Sequence, residues 1–265
     1  MLNKVALITG SSTGLGKRTA LELARLGIDV VINYRTNRDA ALQFARELER
    51  EYPVRALAVQ ADVSDPADCR SLVGQVLEVF GRLDILVNNA GPYIPERKRM
   101  AEYELDEWNA MINGNLTSVF YLSKLVIPHM RENGWGRILN FGFDRADTAP
   151  AWMFRSAFAA AKVGLVSLTR TMALEEAEYG ITVNMVCPGD IIGEWKEANI
   201  EDASSAGDHS TPVGRVGTGE DIARTIAFFC AEASGFITGT VIAVTGGKDV
   251  LTKYRYEAES SKPVW

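Results

Sequence analysis

Histidine is almost missing from this chain: His129 and His209 are its only two in 265 residues, and neither has a cysteine close by in sequence. A structural or catalytic zinc site therefore has almost no ligands to be built from, and no metal is expected. Cysteine is equally scarce. Cys69, Cys187 and Cys230 lie far apart in apolar contexts, which points to buried reduced thiols in a cytoplasmic protein rather than a disulfide framework. A basic excess is also lacking, since 28 Lys and Arg face 34 Asp and Glu for a net charge of -6, and the basic residues are scattered. Phosphate-backbone binding needs clustered Lys and Arg, so no nucleic acid is expected as a partner. No run approaches the roughly 18 apolar residues that span a bilayer. The N-terminus opens directly into Val5-Ala-Leu-Ile-Thr9 without the charged lead of a signal peptide, so no membrane partner is expected either. Finally, no Pro/Ser-rich linker divides the chain.

What is present is a regular alternation. Short apolar, β-branched runs at Val5–Thr9, Asp29–Asn33, Val54–Val59, Ile85–Val87, Arg137–Phe141, Thr182–Val186 and Val241–Val244 read as strands. Helical periodicity lies between most of them, at Gly16–Leu26, Arg38–Glu51, Asp65–Phe80, Asp106–Arg131 and Phe158–Tyr179. Parallel neighbours need long crossovers, and strands covered on both faces do not alternate polar with apolar residues. The pattern predicts one α/β domain over residues 1–250, a Rossmann-type, doubly wound parallel sheet of about seven strands with helices on both faces. The polar stretch Ile191–Val213 reads as a mobile lid over a substrate. Beyond Gly247 the apolar periodicity fades, and the tail, residues 251–265, is either a frayed terminus or a segment docked on another subunit.

The first strand runs into Gly10-Ser-Ser12-Thr13-Gly14-Leu15-Gly16 and then a helix. Glycines there let the backbone turn tightly, approach a diphosphate and pack helix against strand, while the helix start offers free N–H groups to an anion. Together with Asp62-Val63, Asn88-Asn89-Ala90-Gly91, Asn115, Lys162 and Pro188-Gly189, this segment resembles a short-chain dehydrogenase/reductase. The resemblance is closest to the 3-oxoacyl-carrier-protein-reductase-like branch, and it continues through Gly214-Arg-Val-Gly and Glu220-Asp-Ile-Ala to Gly246-Gly247. It implies that Asp62 and Val63 contact the adenine, that Asn88, Asn89, Ala90 and Gly91 line the cofactor, and that Pro188, Gly189 and Ile191 lie along the nicotinamide. It also implies that Lys162 holds the nicotinamide ribose, and that the subunits form a homotetramer or homodimer through Asp106–Arg131 and Phe158–Tyr179.

The second strand ends Asn33-Tyr34-Arg35, with no carboxylate at its tip to receive ribose hydroxyls. Arg35 reads either as a fork for a 2′-phosphate, which favours NADP(H) over NAD(H), or as a solvated arginine.

The same resemblance exposes a departure. The family carries a tyrosine four residues before its lysine and a serine just past the fifth strand. Here those positions read Phe158 and Phe141-Gly142-Phe143-Asp144, while Lys162 and Asn115 are kept. Phenylalanine has no proton to give, and general acid catalysis is typically worth about 10²–10⁴ in rate. Two residues could supply the proton instead. Asp144 is either that acid or a loop cap, and Tyr93 is either that donor or a wall of the pocket. Trp152, Met153, Phe158 and Trp195 are expected to border an apolar pocket for a small-molecule substrate, and Trp108 and Trp135 to sit in core or interface. Two functions compete: an NADP(H)-dependent reductase of a carbonyl or similar group, and an NADP(H)-binding sensor or partner subunit without turnover.

Overall fold

Strand β1 (Val5–Ile8) sends Val5 and Leu7 to one face of a sheet and Ala6 and Ile8 to the other, and all four are buried. That two-sided burial is what the unbroken apolar run requires. A computed structural model describes residues 4–208 and 210–251; His209 and the expected tail beyond Leu251 lie outside the described residues. Among them the strands are β1, β2 (Asp29–Tyr34), β3 (Ala56–Gln60), β4 (Ile85–Asn88), β5 (Gly136–Phe141), β6 (Ile181–Pro188) and β7 (Val241–Val244). All pair in parallel in the order β3-β2-β1-β4-β5-β6-β7, as expected for a doubly wound sheet.

Two helical layers cover the sheet. On one face α1 (Gly14–Arg25), α2 (Arg38–Glu51) and α8 (Gly219–Cys230) bury Leu23, Phe44 and Ile226 against Ile8, Ile32 and Val87. On the other, α3 (Pro66–Phe80), α5 (Ser118–Glu132) and α6 (Ser156–Glu175) bury Leu72, Val126 and Met172 against Leu7, Leu86 and Val183. Each such buried aliphatic stabilises the fold by about 1.5–3 kcal/mol. The strand order reverses between β1 and β4, so their carboxyl ends diverge and leave a crevice.

One expectation changes. The continuous helix predicted over Asp106–Arg131 is broken into α4 (Leu105–Ile112), a π-helical turn over Asn113–Thr117, and α5. The side chain of Asn115 donates to the Met111 carbonyl, taking an acceptor from the ladder and favouring the wider turn. By length and average composition alone α6, at 20 residues, could cross a bilayer. Its Ala, Val and Leu residues keep the average high, Lys162, Arg170 and several Ser and Thr interrupt the apolar run, and half of the helix is buried inside the fold, as in a core helix. Within the expected lid the structure has a 3₁₀ turn at Gly193–Lys196, α7 (Ile200–Ser204) and a bridge pairing Gly207 with Arg215.

Candidate coenzyme and active site

A cleft of about 780 Å³ opens at the carboxyl ends of β1 and β4. Its floor is the loop between β1 and α1, where Gly10 and Gly14 have φ of 61° and 64°, in the left-handed region that side chains avoid. Gly16 is required for a different reason. A Cβ there would lie 2.6 Å from both the Gly10 carbonyl and the Asn89 amide nitrogen. The loop is pinned by buried polar side chains: Asn33 accepts from the Gly10 N–H at 3.1 Å, and the Asn89 Nδ2 donates to the carbonyls of Thr9 and Gly10. Thr9 Oγ1 accepts from the N–H groups of Asn89 and Ala90, tying the ends of β1 and β4 together.

Gly10, Thr13, Gly14, Leu15, Arg35, Asp62, Val63, Asn89, Ala90, Gly91, Tyr93, Asn115, Lys162 and Pro188 all line this cleft, so most of the residues singled out in the sequence converge. Ser12, Gly16, Gly189 and Ile191 do not. Gly16 packs beneath the loop, Gly189 against the backbone of Thr245, and Ile191 is buried against Gly217. Of the four residues expected to border the pocket, Phe158 alone lines the cleft. Trp195 packs into the core under α1, Met153 is exposed, and Trp152 stands behind Phe158. Trp135 is partly buried against the core and Trp108 is partly exposed on α4.

The cleft ends at Lys162, buried on the inner side of α6, whose Nζ donates to the Phe141 carbonyl at 2.8 Å. Burial, opposed only by Cys187, brings its pKa down to about 8. The ring of Phe158, one turn earlier on α6, lies 5.7 Å from that nitrogen. Phe143, Trp152 and Phe158 pack into one aromatic cluster, with centroids 4.9–6.3 Å apart, on the side where the sequence departs from its resemblance. The segment before α6 is strained, with Arg145, Ala149 and Phe154 at φ of 58°, 49° and 66°. Asn115 places its Nδ2 on the Pro92 carbonyl at 2.9 Å, and its Oδ1 is buried against Gly91 without a hydrogen-bond partner.

Asp144 and Tyr93 part company here. The Asp144 carboxylate is buried away from the cleft, near the Val250 N–H and the Arg145 guanidinium, because the loop after β5 turns it toward the C-terminal segment. Tyr93 faces the cleft, and its hydroxyl oxygen accepts from Arg155 Nε at 2.7 Å. Arg155 was not anticipated. It is buried, and its remaining bonds go to the carbonyls of Pro95, Glu96 and Phe154, so it clips the loop after β4 onto the start of α6. No short-range pattern announces that contact, since it spans 62 positions.

Where Asp62 and Val63 line the cleft, Arg35 is largely exposed, with Nη1 3.7 Å from an Asp62 oxygen. Burial works to raise the Asp62 pKa, but the Ser64 hydroxyl and N–H, helped by Arg35, outweigh it and hold the carboxyl below the usual range.

Comparison with known proteins agrees with this architecture. A family model described as enoyl-(acyl carrier protein) reductase matches residues 10–249. The chain belongs to the short-chain dehydrogenase/reductase family. It is 52% identical to YtkK of Bacillus subtilis, over 94% of this chain and 97% of that one. It is 35% identical to the 3-oxoacyl-[acyl-carrier-protein] reductase FabG of Staphylococcus epidermidis, over 93% and 99% of the two chains. A solved structure from Bacillus thuringiensis superposes with a TM-score of 0.88 at 52% identity, covering 95% of this chain and all of that one. As a member of this family the chain is an oxidoreductase resembling 3-oxoacyl reductases, a class that works with nicotinamide coenzymes.

Proposed function

We propose that this protein is an NADP(H)-dependent reductase of a small carbonyl compound, with a 3-oxoacyl thioester as the first class to try. The observation that carries the reading is the convergence of the Gly10–Gly16 loop, Asn115 and Lys162 on one cleft at the switch point of the sheet. The residues present suit a dinucleotide: glycines that a Cβ would clash with, a helix N-terminus, and an orphaned buried Asn115 oxygen. When bound, the coenzyme would supply the hydride. Gly10, Thr13, Gly14 and Leu15 would face its diphosphate, Asp62 and Val63 its adenine, Ala90 and Gly91 its middle, and Pro188 its nicotinamide. Lys162 would hold the ribose beside that ring. Arg35, exposed at the tip of β2 with only a long contact to Asp62, would fork onto a 2′-phosphate, which favours NADP(H) over NAD(H).

With phenylalanine at 143 and 158, the proton has to come from elsewhere. Tyr93 lines the cleft beside Phe158, and Arg155 donates to its hydroxyl oxygen, which leaves the hydroxyl hydrogen free to be donated. We therefore assign the proton donor to Tyr93, with residues 191–213 acting as a lid. Leu105, Trp108 and Phe120 are partly or fully exposed on α4 and α5, which supports a homotetramer or homodimer through these helices. The three free, buried cysteines suit a reducing compartment, and we assign the protein to the cytoplasm.

The aromatic cluster supports a second reading, an NADP(H)-binding sensor or partner subunit without turnover. One experiment separates the two: NADPH oxidation across a carbonyl panel that includes acetoacetyl thioesters, with Phe158→Tyr and Tyr93→Phe alongside. Turnover by the unmodified protein that Tyr93→Phe abolishes supports the reductase. Activity seen only after Phe158→Tyr supports the sensor and sinks the reductase.

A further inference from the structure

A carboxylate of the protein's own sits on the glycine loop that floors the cleft. Glu197, just beyond the 3₁₀ turn at Gly193–Lys196, accepts from the Gly14 N–H at 2.7 Å with one oxygen and from Lys17 Nζ at 2.8 Å with the other. Gly14 is the first residue of α1, so the carboxylate lies at the positive end of that helix. Lys17 and the Gly14 amide, bonded through Glu197, hold the carboxyl below the usual carboxylate range although burial works to raise it. Lys196, its neighbour, lines the cleft and lies 3.8 Å from where a Gly14 Cβ would be. One helix further on, the strap is anchored again, where Glu220 accepts from the Ile200 N–H at 2.8 Å and pairs with the buried Arg18 of α1.

We propose that Glu197 is a latch that competes with the coenzyme: its carboxylate occupies donors that a diphosphate needs, and coenzyme binding requires residues 193–197 to let go. This rests on the coenzyme reading above. The chemistry is a plain exchange of anions. The Gly14 amide and Lys17 donate to Glu197 in the free protein and to a phosphate oxygen in the complex, and Glu197 passes to solvent. Both groups of the pair are more than a third exposed, so the latch is weak enough to open. The sequence offers no hint of it, because 183 positions separate Glu197 from Gly14.

The test is calorimetric titration of the full chain with NADPH, and separately with inorganic diphosphate, for the unmodified protein, Glu197→Gln and Glu194→Gln. Glutamine keeps the size of the side chain and removes its charge, and Glu197 is exposed enough that folding is not at stake. Glu194→Gln removes the same charge from the same strap outside the latch. Glu197→Gln is expected to bind both ligands about 3- to 10-fold more tightly, by similar factors because they share only the diphosphate, while Glu194→Gln changes neither. An unchanged or weaker affinity in Glu197→Gln, or an equal gain in Glu194→Gln, overturns the latch and leaves the coenzyme reading standing. If no variant binds NADPH or NADH, the coenzyme reading falls and the latch falls with it.

Discussion

Phe158 and Tyr93 meet edge to face, with ring centroids 5.3 Å apart and planes at 90°, so a tyrosine that lines the cleft packs against the position where the resemblance leads one to expect a tyrosine. Under the proposed reading the proton donor stands on the loop after β4 instead of on α6, and Arg155 at the foot of α6 fixes its hydroxyl oxygen.

Tyr93→Phe is expected to lower kcat about 10²–10⁴-fold, the usual worth of general acid catalysis, with NADPH affinity unchanged. Steady-state kinetics beside a binding titration make the check. A thermal melt accompanies them, since the change strips Arg155 Nε of an acceptor and leaving a buried donor unpaired costs about 1–3 kcal/mol. A kcat within threefold of the unmodified protein would remove Tyr93 from the chemistry.

Arg35→Ala is expected to weaken NADPH binding about 10- to 100-fold, the loss of a charged hydrogen-bonded contact, and to leave NADH binding unchanged. Its side chain is exposed, so the fold does not depend on it. Fluorescence titration with both coenzymes distinguishes a 2′-phosphate fork from a solvated arginine, for which neither affinity moves.

Gly16→Ala is expected to destabilise the protein by about 1–3 kcal/mol, because the added Cβ would lie 2.6 Å from a backbone carbonyl that cannot swing aside. Gly74→Ala on α3 meets nothing within 4 Å and should be neutral or mildly stabilising. Urea midpoints of the two variants provide the comparison, and equal midpoints would contradict the packing at Gly16.

Lys162 makes stability depend on pH in a definite direction. Its folded-state pKa of about 8 lies below the ordinary 10.5, so between those values the unfolded chain binds more protons and stability gained from this group rises with pH. Below that window the buried charge costs the fold about 3 kcal/mol. Lys162→Met should therefore be relatively more stable at pH 7, with its advantage shrinking toward pH 10. Denaturant unfolding of both proteins at the two pH values tests this, and a constant difference rules it out.

Much of this site is legible from the chain because its parts are local. The Gly10–Gly16 loop, its preceding strand and its following helix are consecutive, and the glycines answer to steric needs that a reader of residues can state in advance. Asp144 and Tyr93 are different. Each stands in the loop beyond a strand end, where the direction of a side chain is set by what the loop packs against. In the sequence Asp144 is the first candidate and Tyr93 the second, and the structure reverses that order: Asp144 turns to the Val250 backbone, while Tyr93, bonded to Arg155, lines the cleft. The break at Asn115 is hidden for a related reason: the helical periodicity continues across it, and the competing hydrogen bond to Met111 leaves no trace in hydrophobic spacing.

The sequence alone determined the parallel sheet, its two helical coats and the glycine turn at the head of the first helix, since these follow from hydrophobic period and from backbone freedom within short stretches. Only the tertiary structure decided which polar groups meet the residues lining the cleft: Glu197 on Gly14, Arg155 on Tyr93, and Lys162 beneath Phe141. Those pairs join segments 21 to 183 residues apart, and their geometry is fixed by how the sheet and its crossovers pack rather than by any local preference.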